Sequence, residues 1–275
     1  MPSHASISPD KLARLVGTPR APTILDVRTD EDFAADPRSI PGARRLDLAA
    51  LDAPPIDPSA GSVVVVCARG GKRAQGAAAL LRAAGVAAEA LDGGFAAWIG
   101  ERLPTVATTA LPPRDARGRT RWVTRHRPKV DRIACPWLIR RFVDPRAVFL
   151  FVPPVDVADV AERFDAAAFD IEGAFFSHRG ERCSFDAMLD EFGLDSAPLR
   201  RLATIVRGAD TGRLDLAPEA AGLLAASLGL SRAHADDIEQ LDAGMVVYDA
   251  FYRWCRDATE ETHDWPAHKA KAGAR

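Results

Sequence analysis

The stretch Val63–Leu81, VVVVCARGGKRAQGAAALL, decides the fold of the first hundred residues. Its valines have the length and β-branched composition typical of a buried strand, predicted over Ser62–Val66. Cys67 follows directly, then a loop with two adjacent glycines. The apolar spacing of Ala74–Ala84 predicts a helix that Gly85 ends. A strand, a short loop and a helix in this order indicate one unit of a parallel α/β sheet.

Neighbouring segments extend this unit into a domain. Thr23–Val27 and Ala88–Leu91 are short apolar runs that predict further strands, so the fold class is α/β with a parallel sheet flanked by helices. The proline- and threonine-rich stretch Pro104–Thr120 predicts a linker, and the region after it has the patterns of a mainly α-helical (α+β) second domain. The predicted boundaries are 6–103 for the first domain, 104–120 for the linker, 121–265 for the second domain and 266–275 for a flexible tail.

The composition is that of a globular protein and argues against a membrane-spanning or general nucleic-acid-binding protein. The chain has 275 residues, 47% of them hydrophobic and 27% charged, with a formal net charge of -2. We expect a globular protein without a membrane-spanning segment, for which nucleic acid is an improbable partner. The four cysteines are scattered and form no CxxC pair, which favours reduced thiols and a cytoplasmic location.

The loop after the strand has the composition of an anion cradle. It consists of Ala68, Arg69, Gly70, Gly71, Lys72 and Arg73. Ligands bind at the carboxyl ends of parallel strands, where backbone N–H groups and a helix N-terminus stabilise negative charge. The same groups would favour the thiolate of Cys67 and bind oxyanions such as thiosulfate, phosphate, arsenate or chromate. A nucleophilic sulfur in such a cradle predicts group transfer from an anionic donor, although a buried cysteine that only fills space is the alternative.

Three more motifs accompany this loop in a familiar order. LDVR at Leu25–Arg28, IPGAR at Ile40–Arg44 and LDGGFAAW at Leu91–Trp98 resemble, with the Cys67 loop, the rhodanese (sulfurtransferase) family. The resemblance implies that Cys67 is the nucleophile and sulfur carrier, and that loop N–H groups hold the outer sulfur or the departing sulfite. It also implies a small sulfur-donor anion and a thiol acceptor as partners, and no required cofactor.

One departure from the family pattern opens an alternative. Lys72 lies where common single-domain rhodaneses have arginine. Its ammonium group supplies a positive charge but cannot form the two parallel hydrogen bonds that a guanidinium group makes to an anion. Arg73 then creates a Cys-x5-Arg spacing with Cys67, as in cysteine-dependent phosphatases and some arsenate reductases. The gapless match of the following helix favours the shorter rhodanese loop.

Polar residues also follow the neighbouring strand. Asp26 and Arg28 could orient the Cys67 loop from there. Alternatively, Arg28 forms a structural pair with Asp30 or Glu31.

The second domain has its own resemblance. VDRIACPWLIRRFVDP at Val130–Pro145, FFSHRGERCSFDAML at Phe175–Leu189, IVRGADTGRLD at Ile205–Asp215 and VYDAFYRW at Val247–Trp254 resemble the C-terminal domain of ChrB-type chromate-resistance proteins. Fusions of the two domain types occur in bacteria, and the resemblance implies a role in chromate resistance.

Several residues of this domain are candidates for chemistry. His178 and Cys183, with Asp170, Glu172 or Asp210, could form a transition-metal site, although a hydrogen-bonded histidine is the alternative. Asp210 could equally stabilise a turn. Cys135 precedes Pro136 at a predicted helix start, where a thiolate and a redox or persulfide-accepting role are conceivable; simple burial is the alternative.

A basic segment lies at the start of this domain. Between Arg114 and Arg146 there are eleven Lys or Arg residues against three Asp, and such a segment would attract chromate or a related oxyanion. The alternative is that Arg140 and Arg141 lie on the solvated face of a helix.

The leading hypothesis is therefore a sulfurtransferase that forms a persulfide on Cys67, coupled to a domain for chromate or oxyanion resistance. The first alternative is a regulatory oxyanion sensor with a catalytically weak rhodanese domain, although no helix-turn-helix pattern supports DNA binding. The second is an arsenate-reductase or phosphatase-like enzyme that uses Cys67 and Arg73.

Overall fold

The computed structural model describes residues 5–49 and 61–261; the predicted flexible tail lies outside them. The strands in chain order are β1 Ser6–Ile7, β2 Thr23–Asp26, β3 Arg38–Ser39, β4 Arg44–Arg45, β5 Val63–Val66, β6 Ala88–Leu91, β7 Val106–Ala107, β8 Arg121–Arg125, β9 Val148–Val152 and β10 Ala167–Ala168. The α-helices are α1 Pro9–Leu15, α2 Asp30–Ala35, α3 Lys72–Ala83, α4 Gly94–Gly100, α5 Asp131–Leu138, α6 Val157–Arg163, α7 Ser184–Phe192, α8 Ala197–Asp210, α9 Ala220–Ala233 and α10 Asp237–Asp257.

The first domain is built on a five-stranded sheet. Its strand order is β1-β6-β5-β2-β4, and every neighbouring pair is parallel. The central strand β5 consists of four valines that are all buried, as expected for a strand covered on both faces. The prediction of a parallel α/β domain is confirmed, and the predicted strands and helix all form.

The second domain combines a small sheet with a helical layer. Strands β10, β8 and β9 form a parallel three-stranded sheet in that order. The apolar stretches Ala147–Val152 and Ala168–Ile171 predict the two outer strands, and β10 begins one residue before the second of them. No pattern predicts the central β8, whose buried Trp122 and Val123 lie between two arginines. Helices α7 to α10 pack on one another and on α5, and Phe192 of α7 contacts Trp122 of β8. The prediction of a mainly helical second domain is confirmed.

The first helix of the second domain starts earlier than predicted. Helix α5 begins at Asp131, and Pro136 lies inside it, followed by a π-helical turn at Ile139–Val143. Pro136 lacks the N–H that would bond to the carbonyl four residues before it, and a widened turn is one way to accommodate this loss. Cys135 therefore lies in the middle of a helix and not at its start, which corrects that prediction.

The segment between the domains is ordered. Its strand β7 pairs antiparallel with β3 of the first domain, and the Thr108 hydroxyl donates to the Pro37 carbonyl, so the connection lies along the first domain. The domain boundaries themselves stay predictions.

The two domains share one hydrophobic core. Buried residues of α1 and β5 belong to the same cluster as Trp122, Trp137 and Phe142. The Gly42 N–H donates to the Phe142 carbonyl at 2.6 Å. A Cβ added at Gly17, whose φ is +74°, would lie 2.3 Å from Cζ of Phe142, so the ring occupies the space of a missing side chain.

Among the described residues, the apolar stretches are all too short or too interrupted for a bilayer-crossing helix.

Candidate functional site

Cys67 lies at the carboxyl end of β5, where the sequence placed it. Only 5% of the residue is exposed, and its Sγ lies 3.9 Å from the Gly71 carbonyl oxygen. Helix α3 begins at Lys72 with Gly71 as its N-cap, so the loop is short. In the described part of the chain, the backbone N–H groups of residues 68–73 donate to no protein acceptor. Six successive free donors next to a thiol are the kind of groups that an anion cradle requires, and anion binding there stays a prediction.

The start of α4 holds this loop in place. The Phe95 N–H donates to the Cys67 carbonyl and the Ala96 N–H to the Ala68 carbonyl, each at 2.9 Å. Gly94 makes this approach possible, because it has a φ of +61° and an added Cβ would lie 2.3 Å from the Cys67 oxygen and 2.4 Å from the Gly70 nitrogen. The closing motif LDGGF therefore fixes the backbone of the Cys67 loop.

We expect Gly94→Ala to disrupt the loop. The left-handed φ and the overlap with two backbone atoms should lower the free energy of unfolding by roughly 2 kcal/mol or more, measured by chemical denaturation. Gly100→Ala in the same helix is the matched control, since an added Cβ there meets nothing within 4 Å and should be neutral or slightly stabilising. Equal stability of the two variants would contradict this account of the loop.

Asp26 and Arg28 form a buried ion pair beside the loop. Arg28 Nη2 lies 2.6 Å from Asp26 Oδ2, and the side chains are 1% and 4% exposed. The guanidinium also stacks on the Phe95 ring, with Cζ 3.9 Å from its centroid. The alternative pairing of Arg28 with Asp30 or Glu31 is wrong, because the short extended step from Asp26 brings the two side chains together and Asp30 instead binds Arg45. Arg28 is a positioning residue that supports the α4 end of the loop.

The cations of the loop differ in their use. Arg69, Lys72 and Arg73 are all exposed. Arg73 is the second residue of α3, and its Nε–H donates to the Val27 carbonyl at 3.2 Å. This placement supports the shorter, rhodanese-type loop, because α3 already includes Arg73 and a backbone carbonyl after β2 accepts one N–H of its guanidinium.

A second cluster of polar groups surrounds His178 in the other domain. The Nε2 atom of His178 lies 3.2 Å from Asp210 Oδ2, 3.3 Å from Asp170 Oδ1 and 3.6 Å from Asp131 Oδ2. Among the described residues, one ligand atom each of Asp131, Asp170 and His178 lie within 4.8 Å of one another. The structure thus brings together His178 and Asp210, as predicted, and adds Asp131, which the sequence analysis missed because it looks like an ordinary first-turn acidic residue.

The two buried carboxylates are held by other elements. Asp131 Oδ2 accepts the Ser184 N–H at 2.6 Å and the Phe185 N–H at 3.3 Å, at the N-terminus of α7. Asp170 Oδ1 accepts the Ser184 hydroxyl at 2.9 Å, while its Oδ2 lies 3.2 Å from Arg132 Nε. Asp131 Oδ1, by contrast, is buried and accepts no hydrogen bond from any residue that the structure describes.

These contacts shift the pKa values in opposite directions. Burial, followed by repulsion from the neighbouring carboxylates, raises the pKa of Asp131 and that of Asp210. Burial also acts on Asp170, but hydrogen bonds from His178 and Ser184 outweigh it and lower the Asp170 pKa. The hydrogen bond to Asp170 raises the pKa of His178 to about 9 against the opposing effect of burial. Three carboxyl groups therefore face a single imidazole in this cluster.

The cysteines of this domain are placed differently from the predictions. Cys183 is fully buried, its Sγ lies 3.4 Å from Asp186 Oδ2, and it is not among the ligand atoms that meet at His178. Burial raises the pKa of the Cys183 thiol far above its usual range. Burial also raises the pKa of Cys135, so the idea of a thiolate at that position is wrong. Glu172 is likewise absent from the group of ligand atoms.

The basic segment is largely neutralised by ion pairs. Arg140 binds Asp242 at 2.9 Å and Arg141 binds Asp249 at 2.7 Å, both on α10. The two guanidinium groups therefore join helices and do not form a solvated face, which corrects that interpretation.

One arginine near this segment, Arg44, forms no ion pair with a residue in the described ranges. Arg44 lines a cleft of about 390 Å³ between the domains, together with Arg114, Asp144 and Arg146. Its Nε is buried without a hydrogen-bond partner among the described residues. Burial, followed by repulsion from Arg146, lowers the Arg44 pKa. Asp144 is already engaged by Thr120 at 2.7 Å and by Arg114 at 3.2 Å, so the cleft has an excess of positive charge.

Two family models match this chain, one in each domain. Residues 122–255 match the model described as ChrB, C-terminal domain, and residues 8–101 match that of the rhodanese-like domain. Protein ChrB of Cupriavidus metallidurans is 41% identical over 146 residues, which are 52% of this chain and 43% of that protein. The chain thus spans less than half the length of this curated relative.

Two solved structures with similarity to this chain come from proteins of sulfur metabolism or of the rhodanese type by name. A rhodanese-related protein from Thermoplasma volcanium is 26% identical, over 37% of this chain and 97% of that one, with a TM-score of 0.33. A thiosulfate sulfurtransferase from Pseudomonas aeruginosa is 29% identical, over 38% of this chain and 19% of that one, with a TM-score of 0.30.

Proposed function

Since the chain contains a rhodanese-like domain followed by a ChrB C-terminal domain, we propose that it is a sulfurtransferase that carries sulfur as a persulfide on Cys67. The observation that supports this best is the position of the Cys67 thiol beside the free N–H groups of residues 68–73 at the end of β5. The family association with chromate resistance supports a role in that context. The four cysteines are unpaired, which agrees with the expected cytoplasmic location.

In the proposed reaction, Cys67 first takes a sulfur atom from thiosulfate and then passes it to an acceptor. The Cys67 thiolate attacks the outer sulfur of thiosulfate, the S–S bond of thiosulfate breaks, and sulfite leaves with the bonding electron pair. A thiol or cyanide nucleophile then attacks the outer sulfur of the persulfide, and Cys67 is released again as thiolate. The free N–H groups would stabilise the sulfite leaving group and the negative charge on the persulfide.

The test is an assay of the full chain with thiosulfate and cyanide, combined with intact-mass analysis after exposure to thiosulfate alone. We expect formation of thiocyanate and one added sulfur atom per chain. Absence of both products would remove the sulfurtransferase proposal.

A second candidate function is oxyanion binding in the cleft at Arg44. A half-buried guanidinium whose Nε is buried beside other cations is unfavourable unless an anion accompanies it. Arginine forks match the oxygens of tetrahedral anions such as sulfate or chromate. This candidate corresponds to the oxyanion-sensor alternative, and it is compatible with sulfur transfer at Cys67.

We expect Arg44→Leu to weaken the binding of sulfate or chromate by about 10- to 100-fold, since a charged hydrogen bond is lost. Isothermal titration of the full chain would measure this loss. Arg163→Leu, at an exposed position of α6, removes the same charge and should leave the affinity unchanged. Equal affinity of wild type and Arg44→Leu would show that the anion binds elsewhere.

A further inference from the structure

The groups around His178 are arranged in a way that hydrogen bonding alone does not explain. An imidazole carries at most one proton at Nε2, yet three carboxylate oxygens lie within 3.6 Å of that atom. One donor cannot satisfy three acceptors. The three acceptors come from the start of α5, the second residue after β10 and the end of α8, while His178 lies in the loop before α7.

The spacing fits ligands around one metal ion. With metal–ligand bonds of about 2.1 Å, a tetrahedral site separates neighbouring ligand atoms by about 3.4 Å. The distances from His178 Nε2 to the oxygens of Asp131, Asp170 and Asp210 are 3.6, 3.3 and 3.2 Å. These values bracket the spacing that a bound cation would require.

The buried carboxylate provides an independent observation. Asp131 is 0% exposed, and its Oδ1 accepts no hydrogen bond from the described residues. An orphaned carboxylate oxygen in a protein interior is costly unless a cation binds it. The two arginines near the cluster, Arg125 and Arg132, lie against Asp170 Oδ2, and Arg132 is not within ion-pair distance of Asp131. A further positive charge at the Asp131 side would therefore complete the cluster.

We propose that Asp131, Asp170 and His178 form a binding site for one divalent transition-metal cation, with Asp210 as the acceptor for a metal-bound water. Imidazole together with carboxylates suits zinc, manganese or iron(II). His178 is 39% exposed at the rim, so the ion has a path from solvent. The proposed site is separate from Cys67 and does not depend on sulfur transfer.

The experiment is titration of the tag-free full chain, stripped with a chelator, with Zn²⁺ and separately with Mn²⁺. Isothermal titration and metal analysis after gel filtration are the measurements. We expect one equivalent of metal in the wild type. His178→Gln and Asp131→Asn should each weaken binding by at least about 100-fold. Asn keeps an oxygen that accepts the Ser184 N–H, and His178 lies at the rim, so at least one variant should fold.

Two controls separate this site from others. Asp190→Asn removes an equal charge from an exposed position of α7 and should bind as the wild type does. Cys67→Ser removes the reactive thiol and should also retain the metal. The proposal is overturned if the wild type retains neither metal, or if binding survives in both His178→Gln and Asp131→Asn. In that case the cluster is an ion-pair network around a protonated imidazole.

Discussion

Cys67→Ser is expected to reduce sulfur transfer by at least about a thousandfold, because removal of a nucleophile eliminates the covalent intermediate. A serine oxygen cannot hold a sulfane sulfur as a persulfide, although it occupies nearly the same space at the end of β5. The mass shift after exposure to thiosulfate should disappear together with the turnover. The thermal unfolding midpoint should remain close to that of the wild type, because the hydrogen bonds of the loop involve its backbone.

Cys255→Ala is the matched control for this experiment. Cys255 is buried in α10 and its thiol pKa is raised to about 11 by burial, so it is a poor nucleophile at neutral pH. This variant should retain sulfur transfer. Full activity in Cys67→Ser, or a persulfide that persists in it, would place the sulfur on another residue.

Arg28→Met is expected to lower the free energy of unfolding by about 3–5 kcal/mol, because it leaves the Asp26 carboxylate buried without its cation. The loss extends beyond one contact. Arg28 also donates to the carbonyls of Asp36 at 2.9 Å and Arg38 at 2.7 Å, and it covers the Phe95 ring. Chemical denaturation monitored by tryptophan fluorescence is the measurement.

Arg38→Met is the matched control, since the Arg38–Asp36 pair has the same chemistry at 2.7 Å but side chains that are 47% and 31% exposed. An exposed pair contributes up to about 1 kcal/mol. Adding Asp26→Asn to Arg28→Met should recover part of the lost stability, because the uncompensated charge disappears. Similar losses in Arg28→Met and Arg38→Met would mean that burial of the pair has no energetic consequence.

The Cys67 loop could be predicted from sequence because its parts are consecutive. Strand β5, the glycines and helix α3 follow one another within 21 residues, and each has a local signal. Two of its supports were not predictable in the same way. The pairing of Arg28 with Asp26, and the approach of Gly94 to the Cys67 carbonyl, depend on the side-by-side placement of β2, β5 and the start of α4.

The cluster around His178 was predicted only in part. Its members extend from Asp131 to Asp210, so no local spacing identifies the set. Proximity along the chain suggested Cys183 as a ligand, but the start of α7 directs that thiol to Asp186. Strand β8 was missed for a related reason. The arginines at its two ends interrupt the apolar run that would have predicted a strand, and its centre is buried only by contact with other elements.

The Phe142 ring, which fills the place of a side chain at Gly17, has a consequence for the modularity of this protein. The two regions match separate family models, and each has its own sheet. In this chain, however, apolar side chains of each region complete the hydrophobic core of the other. Either region on its own would therefore have an apolar surface without its packing partner. Moving either region into a new protein would expose its apolar interface to water. Exchanging one region for that of a related protein would require changes in the residues of the other region that contact it.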